Sequence, residues 1–317
     1  MLIFLKKIRL LPDSLEQTNM TTINCWLWQE SENSLCWWSP ENTQLIDTSL
    51  ASEGQLPRTL ADELSEYLIK YSSVRLHIAQ NVPDDWQRLP LPGDLLVSRY
   101  AQYTATPPRL PTAPTAVLLN FWESDDSFES IFSDTSETID AHSSQDFAKT
   151  EDLSALSLLC VISHGTEQDN EKPFRLADEQ TWALPLNRGL PPLVILLACG
   201  NNKGNLLDYG QTLLEHGAQT VLAPLGQLNA KHAANFLQTF LEGWEQGRCV
   251  DELLAESQRK IDGFDGAQCL HLLGYGKLRV TSEALPAELS DTDLNAKAQE
   301  ALREGDENSH AFVQVLL

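Results

Sequence analysis

Two apolar runs in this chain end in the same way. Ser157-Leu158-Leu159-Cys160-Val161-Ile162-Ser163 leads into His164-Gly165, and Pro192-Leu193-Val194-Ile195-Leu196-Leu197-Ala198 leads into Cys199-Gly200. A run of this length with no polar alternation, closed by a turn signal, reads as a strand buried on both faces of a parallel sheet. Neighbouring strands lie roughly 4.8 Å apart. Sites in open α/β sheets sit beyond the carboxyl ends of the strands. If the two strands are adjacent, an imidazole and a thiol project from one rim, close enough to share a proton.

The pattern around them predicts an α/β fold. Cys25-Trp26-Leu27-Trp28 and Leu35-Cys36-Trp37-Trp38 flank the polar stretch Gln29–Ser34 and read as a hairpin. Its four tryptophans suit an aromatic cover over one edge of a sheet, with a ligand cage as the alternative. Leu60–Tyr71 has helical spacing, and Val74–Ala79 is strand-like. Val82–Pro114 is proline-rich and reads as extended connections with one strand at Leu95–Tyr100. Strand and helix then alternate: Ala116–Trp122, Phe128–Phe132, Thr138–His142, Asp146–Leu153 and the His164 strand. A long loop with a hairpin at Phe174–Leu184 leads to the Cys199 strand. Asn205–His216 is a helix that Gly217 terminates, and Thr220–Ala223 is a short strand. Asn229–Gln246 and Val250–Ile261 are amphipathic helices. A pair of strands, Cys269–Leu273 and Lys277–Val280, finishes the sheet.

Such alternation predicts a mostly parallel central sheet flanked by helices on both faces. The chain divides into an N-terminal extension over 1–73, a main domain over 74–281 and an acidic tail over 282–317. Asp291–Arg303 in that tail is an expected exposed helix, and the tail is either a solvated appendage or a docking arm. No internal repeat is visible.

Composition narrows the function classes. The 317 residues are 42% hydrophobic, enough for a large core and too apolar for disorder. Lys+Arg 22 against Asp+Glu 45 gives a formal charge of -23, which repels nucleic-acid backbones and anionic membranes. The six cysteines show no CxxC pair and no zinc spacing, which fits reduced thiols in a cytoplasm and no metal. No segment reaches the ~18 apolar residues of a membrane span. Met1–Leu11 is apolar but carries Lys6, Lys7 and Arg9 inside the run, unlike a signal peptide. Met20 is a candidate start, which would leave residues 1–19 untranslated.

The rim supplies the chemistry. Cys160 lies inside its run and reads as core, whereas Cys199 and His164 each stand at a strand end before glycine. A thiolate at Cys199 is a nucleophile, and His164 takes its proton and later protonates a leaving amine. The backbone N–H groups of Gly165 and Cys199 are candidate oxyanion donors, worth on the order of 3 kcal/mol each. The helix from Asn205 turns its N-terminal field toward the thiolate. The glycines let a substrate backbone approach closely. No GxGxxG follows a strand, and neither a P-loop nor a GxSxG elbow is present, so no cofactor is expected. His216, His232 and His271 are scattered over helices and a strand and make no metal site.

These residues resemble the CHAT family of caspase-like cysteine peptidases, relatives of caspases and separase. The resemblance runs from about Val74 to Val280. It rests on Val161-Ile162-Ser163-His164-Gly165, Val194–Gly200, Gly217-Ala218-Gln219-Thr220-Val221-Leu222-Ala223 and Leu272-Leu273-Gly274-Tyr275-Gly276. Trp86-Gln87-Arg88-Leu89-Pro90 looks like a degraded Pro-Trp-Glu segment. The resemblance implies a caspase-hemoglobinase-like three-layer sandwich with a His164/Cys199 dyad. It also implies an intracellular bacterial thiol protease acting on a dedicated protein substrate, in regulated processing or defence.

Two departures matter. Gly200-Asn201-Asn202 stands where many relatives read Glu-Thr-Gly. The loop Gly226-Gln227-Leu228-Asn229-Ala230 lacks the acid that can line the primary pocket. Gly226 and Asn229 remain pocket candidates, and Asp169 or Asp208 is left to supply a charge from elsewhere. The leading expectation is a cysteine endopeptidase, and the alternative is a catalytically inactive scaffold of the same fold. A small-molecule hydrolase on a similar sheet is a third class. The sequence does not set the oligomeric state.

Overall fold

The structure, a computed structural model, describes residues 22–31, 34–39, 41, 43–47, 57–83, 87–88, 91, 95–101, 111–113, 115–120, 136–140, 153–166, 171–176, 180–199, 205–261 and 270–281. The N-terminal elements are β1 (Thr22–Ser31), β2 (Ser34–Trp38), β3 (Thr43–Asp47), α1 (Arg58–Lys70), β4 (Ser73–Ala79) and β5 (Leu95–Ala101). Then come β6 (Ala116–Asn120), β7 (Ser136–Asp140), β8 (Leu158–Ile162), β9 (His164–Gly165), β10 (Phe174–Arg175), β11 (Thr181–Trp182) and β12 (Leu193–Leu197). The last are α2 (Asn205–Glu215), β13 (Thr220–Pro224), α3 (Ala230–Glu245), α4 (Val250–Arg259) and β14 (Leu270–Gly274).

Eleven strands form one sheet in the order β3-β2-β1-β4-β5-β14-β13-β12-β8-β6-β7, and β9, β10 and β11 form a small second one. Within the large sheet only the β1/β2, β2/β3 and β13/β14 pairs are antiparallel. The expected mostly parallel sheet with helices on both faces is therefore present. Alternate residues of the two apolar runs face opposite layers. Leu158, Cys160, Ile162, Leu193, Ile195 and Leu197 pack with Phe236, Phe240 and Trp244 of α3 and with Leu253 of α4. Leu159, Val161, Val194 and Leu196 pack with Leu206, Leu207 and Leu213 of α2. Burial on both faces is what strands with no polar alternation require.

Helix ends follow the sequence closely. Asn229 caps α3, its side-chain oxygen accepting from the Lys231 N–H at 3.0 Å and the His232 N–H at 3.3 Å. Gly217, with φ 108, ends the turn after α2, where a residue with a Cβ would be strained.

Two expectations need correction, and one strand is additional. Lys277–Val280 is not a strand. Its backbone caps α4 instead, the Leu278 and Gly276 carbonyls accepting from the N–H groups of Val250 and Asp251 at 2.9 and 3.0 Å. The tryptophans do not cover a sheet edge, because β3 lies beyond β2; Trp28 and Trp37 are 1% and 0% exposed. Trp37 stacks on Tyr67 of α1, and Trp26 stacks on His77 of β4 with centroids 4.6 Å apart. β3 itself was not expected, because Thr43-Gln44-Leu45-Ile46-Asp47 is short and half polar. The expected helices at 128–132 and 291–303, and all but the last residue of the one at 146–153, lie outside the described residues.

The N-terminal strands join the rest through β5 and β14, and through a buried ion pair. Arg75 of β4 donates its Nε to Asp251 at the start of α4 and reaches Glu252 at 3.4 Å. The Arg75 and Asp251 side chains are 8% and 1% exposed.

Candidate active site

β8 and β12 are neighbours in parallel register, from Leu193 opposite Leu158 to Leu197 opposite Ile162. The ladder continues one step past both strands, where the Ser163 N–H donates to the Leu197 carbonyl at 3.1 Å. No strand lies between them. His164 and Cys199 therefore leave the sheet side by side at its carboxyl rim, His164 exposed and Cys199 half-buried.

Gly165 lies against the main chain of Cys199. A Cβ built there would sit 1.7 Å from the Cys199 carbonyl oxygen and 3.2 Å from its nitrogen. By its place in the chain this glycine is expected to admit a substrate backbone. The close approach is made by the chain's own backbone, so glycine is needed before any ligand arrives.

β9 is held from three sides. It pairs antiparallel with β10, His164 opposite Arg175 and Gly165 opposite Phe174. The buried Ser163 hydroxyl donates to the carbonyls of His164 at 3.0 Å and Arg175 at 2.9 Å. Asn205, the first residue of α2 and 1% exposed, donates its side-chain amide to the Thr166 carbonyl at 3.1 Å. The expected hairpin at 174–184 is β10 with β11. It docks on α2 through Tyr209, whose hydroxyl accepts from the Leu184 N–H at 2.8 Å and whose ring meets Phe174 edge-on.

The ladder also sets where the Gly165 N–H points. The Thr166 N–H donates to the Pro173 carbonyl at 2.9 Å. Antiparallel pairs alternate between hydrogen-bonded and non-bonded. Thr166 and His164 thus turn their amides to β10, and the Gly165 amide turns away from it. On the other side of Cys199, its Sγ donates to the Leu228 carbonyl at 3.7 Å, in the loop between β13 and α3.

The pocket candidates separate. Gly226 is buried in that same loop. Asn229 is engaged as the α3 cap, so its side-chain oxygen serves the helix. Asp208, on the first turn of α2, pairs with Arg88. Asp169 lies outside the described residues. Sequence reasoning missed Ser163, Asn205 and the Leu228 carbonyl. An asparagine at a helix start signals a cap, and nothing in the linear pattern shows that its amide reaches back to residue 166.

Among the described residues one group has metal-ligand spacing: Cys249, Asp251 and Glu252. Arg75 already neutralises its carboxylates. Burial and those carboxylates push the Cys249 thiol up to about 11, which keeps it protonated and a poor ligand. Cys160 is fully buried, and burial raises its pKa far above the usual thiol range, as befits core. None of the described helices is long and apolar enough to cross a membrane.

Residues 141–272 match the CHAT domain family, a stretch that contains both His164 and Cys199. Among solved structures the chain is similar to separase in two crystal structures of the Saccharomyces cerevisiae separase–securin complex. At 2.6 Å resolution the identity is 16% with a TM-score of 0.41. At 3.0 Å the identity is 18% with a TM-score of 0.38. Each match covers 70% of this chain and 17% of the separase chain, so the chain spans about a sixth of that length. No curated protein matches the chain.

Proposed function

We propose that this chain, with its CHAT domain over residues 141–272, is a cysteine endopeptidase that cuts one or a few dedicated protein substrates. In this reading it is a bacterial, cytoplasmic enzyme of regulated processing or defence. Cys199 is the nucleophile and His164 its general base. The thiolate adds to the scissile carbonyl carbon, and the N–H groups of Gly165 and Cys199 receive the developing oxyanion. His164 gives its proton to the leaving amine, which departs and leaves a thioester on Cys199. Water then adds to the thioester and releases the carboxylate product and the thiol.

The observation that carries the reading is the contact of Gly165 with Cys199 at the end of paired β8 and β12. It brings the main chain after the imidazole against the main chain of the thiol. The amide direction of Gly165 supports the oxyanion role, since that N–H is not used by β10. Turnover of a peptide library by the wild type and by Cys199→Ala tests it. Loss of cleavage by about 10⁴-fold or more is expected, and equal cleavage by both proteins ends the assignment.

One observation favours a second reading, a non-catalytic scaffold. The Cys199 thiol donates to the Leu228 carbonyl, a resting place for a protonated sulfur. Alkylation by iodoacetamide near pH 7 discriminates the two. An active nucleophile reacts faster than an exposed reference thiol, and a scaffold cysteine does not.

A further inference from the structure

We propose that Arg175 is a specificity-determining residue that binds a carboxylate on the substrate, an Asp or Glu side chain flanking the scissile bond. The inference rests on the peptidase reading of His164 and Cys199 and adds a substrate class to it. Arg175 is directly opposite His164 in the β9/β10 pair. Residues opposite each other in an antiparallel pair project their side chains on the same face, about 5.5 Å apart at Cα in a hydrogen-bonded pair. Burial agrees: Phe174 is fully buried and Arg175 exposed, so Phe174 points to the core and Arg175 to the solvent beside His164. The Ser163 hydroxyl fixes the Arg175 main chain at 2.9 Å.

Four other arginines of the described residues have carboxylate partners. Arg58, Arg75, Arg88 and Arg248 each form an ion pair. Among the described residues Arg175 forms none. An arginine beside the reacting groups, with its planar fork uncommitted, is built to take a carboxylate by two parallel hydrogen bonds. It also repels a substrate with Lys or Arg at that position.

The test compares alkylation of Cys199 by iodoacetate and by iodoacetamide, followed by peptide mapping, in the wild type and in Arg175→Gln, Arg175→Glu and Arg175→Lys. The ratio of the two rates cancels the thiolate fraction and isolates the attraction of a carboxylate to the site. The ratio should fall about threefold or more in Arg175→Gln, fall further in Arg175→Glu and be kept in Arg175→Lys. One ratio shared by all four proteins overturns the inference, whether or not any peptide is turned over. A second arm measures kcat/KM for peptides with Glu, Gln or Lys next to the cleaved bond. Equal values for Glu and Gln in the wild type overturn the substrate class and leave the dyad standing. A ratio that follows Arg175 in a protein whose Cys199→Ala variant cleaves equally well refutes the dyad instead.

Discussion

Replacing Gly165 by alanine tests the geometry of the rim directly. The added methyl would begin 1.7 Å from the Cys199 carbonyl oxygen and 2.7 Å from its carbon, where ordinary contact starts at 3.4 Å. The two main chains must therefore separate by about 1.7 Å. Neither moves freely. β9 is tied to β10 and to the amide of Asn205, and only the buried Ala198 separates Cys199 from the fully buried β12. Overpacking of this kind costs about 1–3 kcal/mol, read as a fall of a few degrees in Tm. A displacement of 1 Å between reacting groups costs about 10²-fold in rate, so kcat/KM should fall by at least that factor. Thermal melts and initial rates on any peptide the wild type cleaves make the assay, with the iodoacetamide rate at Cys199 as a readout independent of substrate. A Gly165→Ala protein with wild-type Tm, alkylation rate and kcat/KM would refute the claimed contact.

Two further predictions concern stability. Arg75→Ala leaves Asp251 as a buried, unpaired charge and should cost about 3–5 kcal/mol in urea unfolding; a loss under 1 kcal/mol would show that water already reaches Asp251. His77, packed under Trp26, is pushed down to about 3, by desolvation first and then by the charges of Lys277 and Arg75. Its unfolded pKa is near 6.5, so between about 6.5 and 3 the unfolded chain binds a proton that the folded one refuses. Stability is full above that window and is lost as pH falls through it. The drop in Tm from pH 7 to pH 5 should be smaller in His77→Phe than in the wild type, and equal drops would refute the assignment.

Much of the fold was legible because its signals are local. The runs ending at Ile162 and Leu197 read as doubly buried strands, but that they are neighbours, with His164 and Cys199 on one rim, came only with the sheet order. The spacing of Ala233, Phe236, Leu237, Phe240 and Trp244 located α3 to within one residue at each end, Asn229 and Gln246 proving to be its caps. What escaped was set by distant partners. Leu278 reads as part of a strand by its neighbours, yet it is buried at 0% exposure beneath α4, and its carbonyl is taken by the Val250 amide. β3 becomes a strand because β2 offers it an edge. The ties of Ser163 and Asn205 to β9 and β10 join segments that no periodicity relates. The role of Gly165 was legible only in part: the glycine stood out, but the partner that crowds it did not.

The position of β14 in the ladder has a consequence for assembly. It runs antiparallel to β13, and its other side is occupied by β5. In a shorter α/β domain ending in such a strand, that side would offer bare amides and carbonyls to a second molecule. Here the chain fills the vacancy with its own N-terminal strands, β1 to β5. Among the described strands only β3 and β7 border the large sheet. By the described strands, two copies that extended one sheet across a twofold axis would meet at one of those margins, far along the ladder from β14.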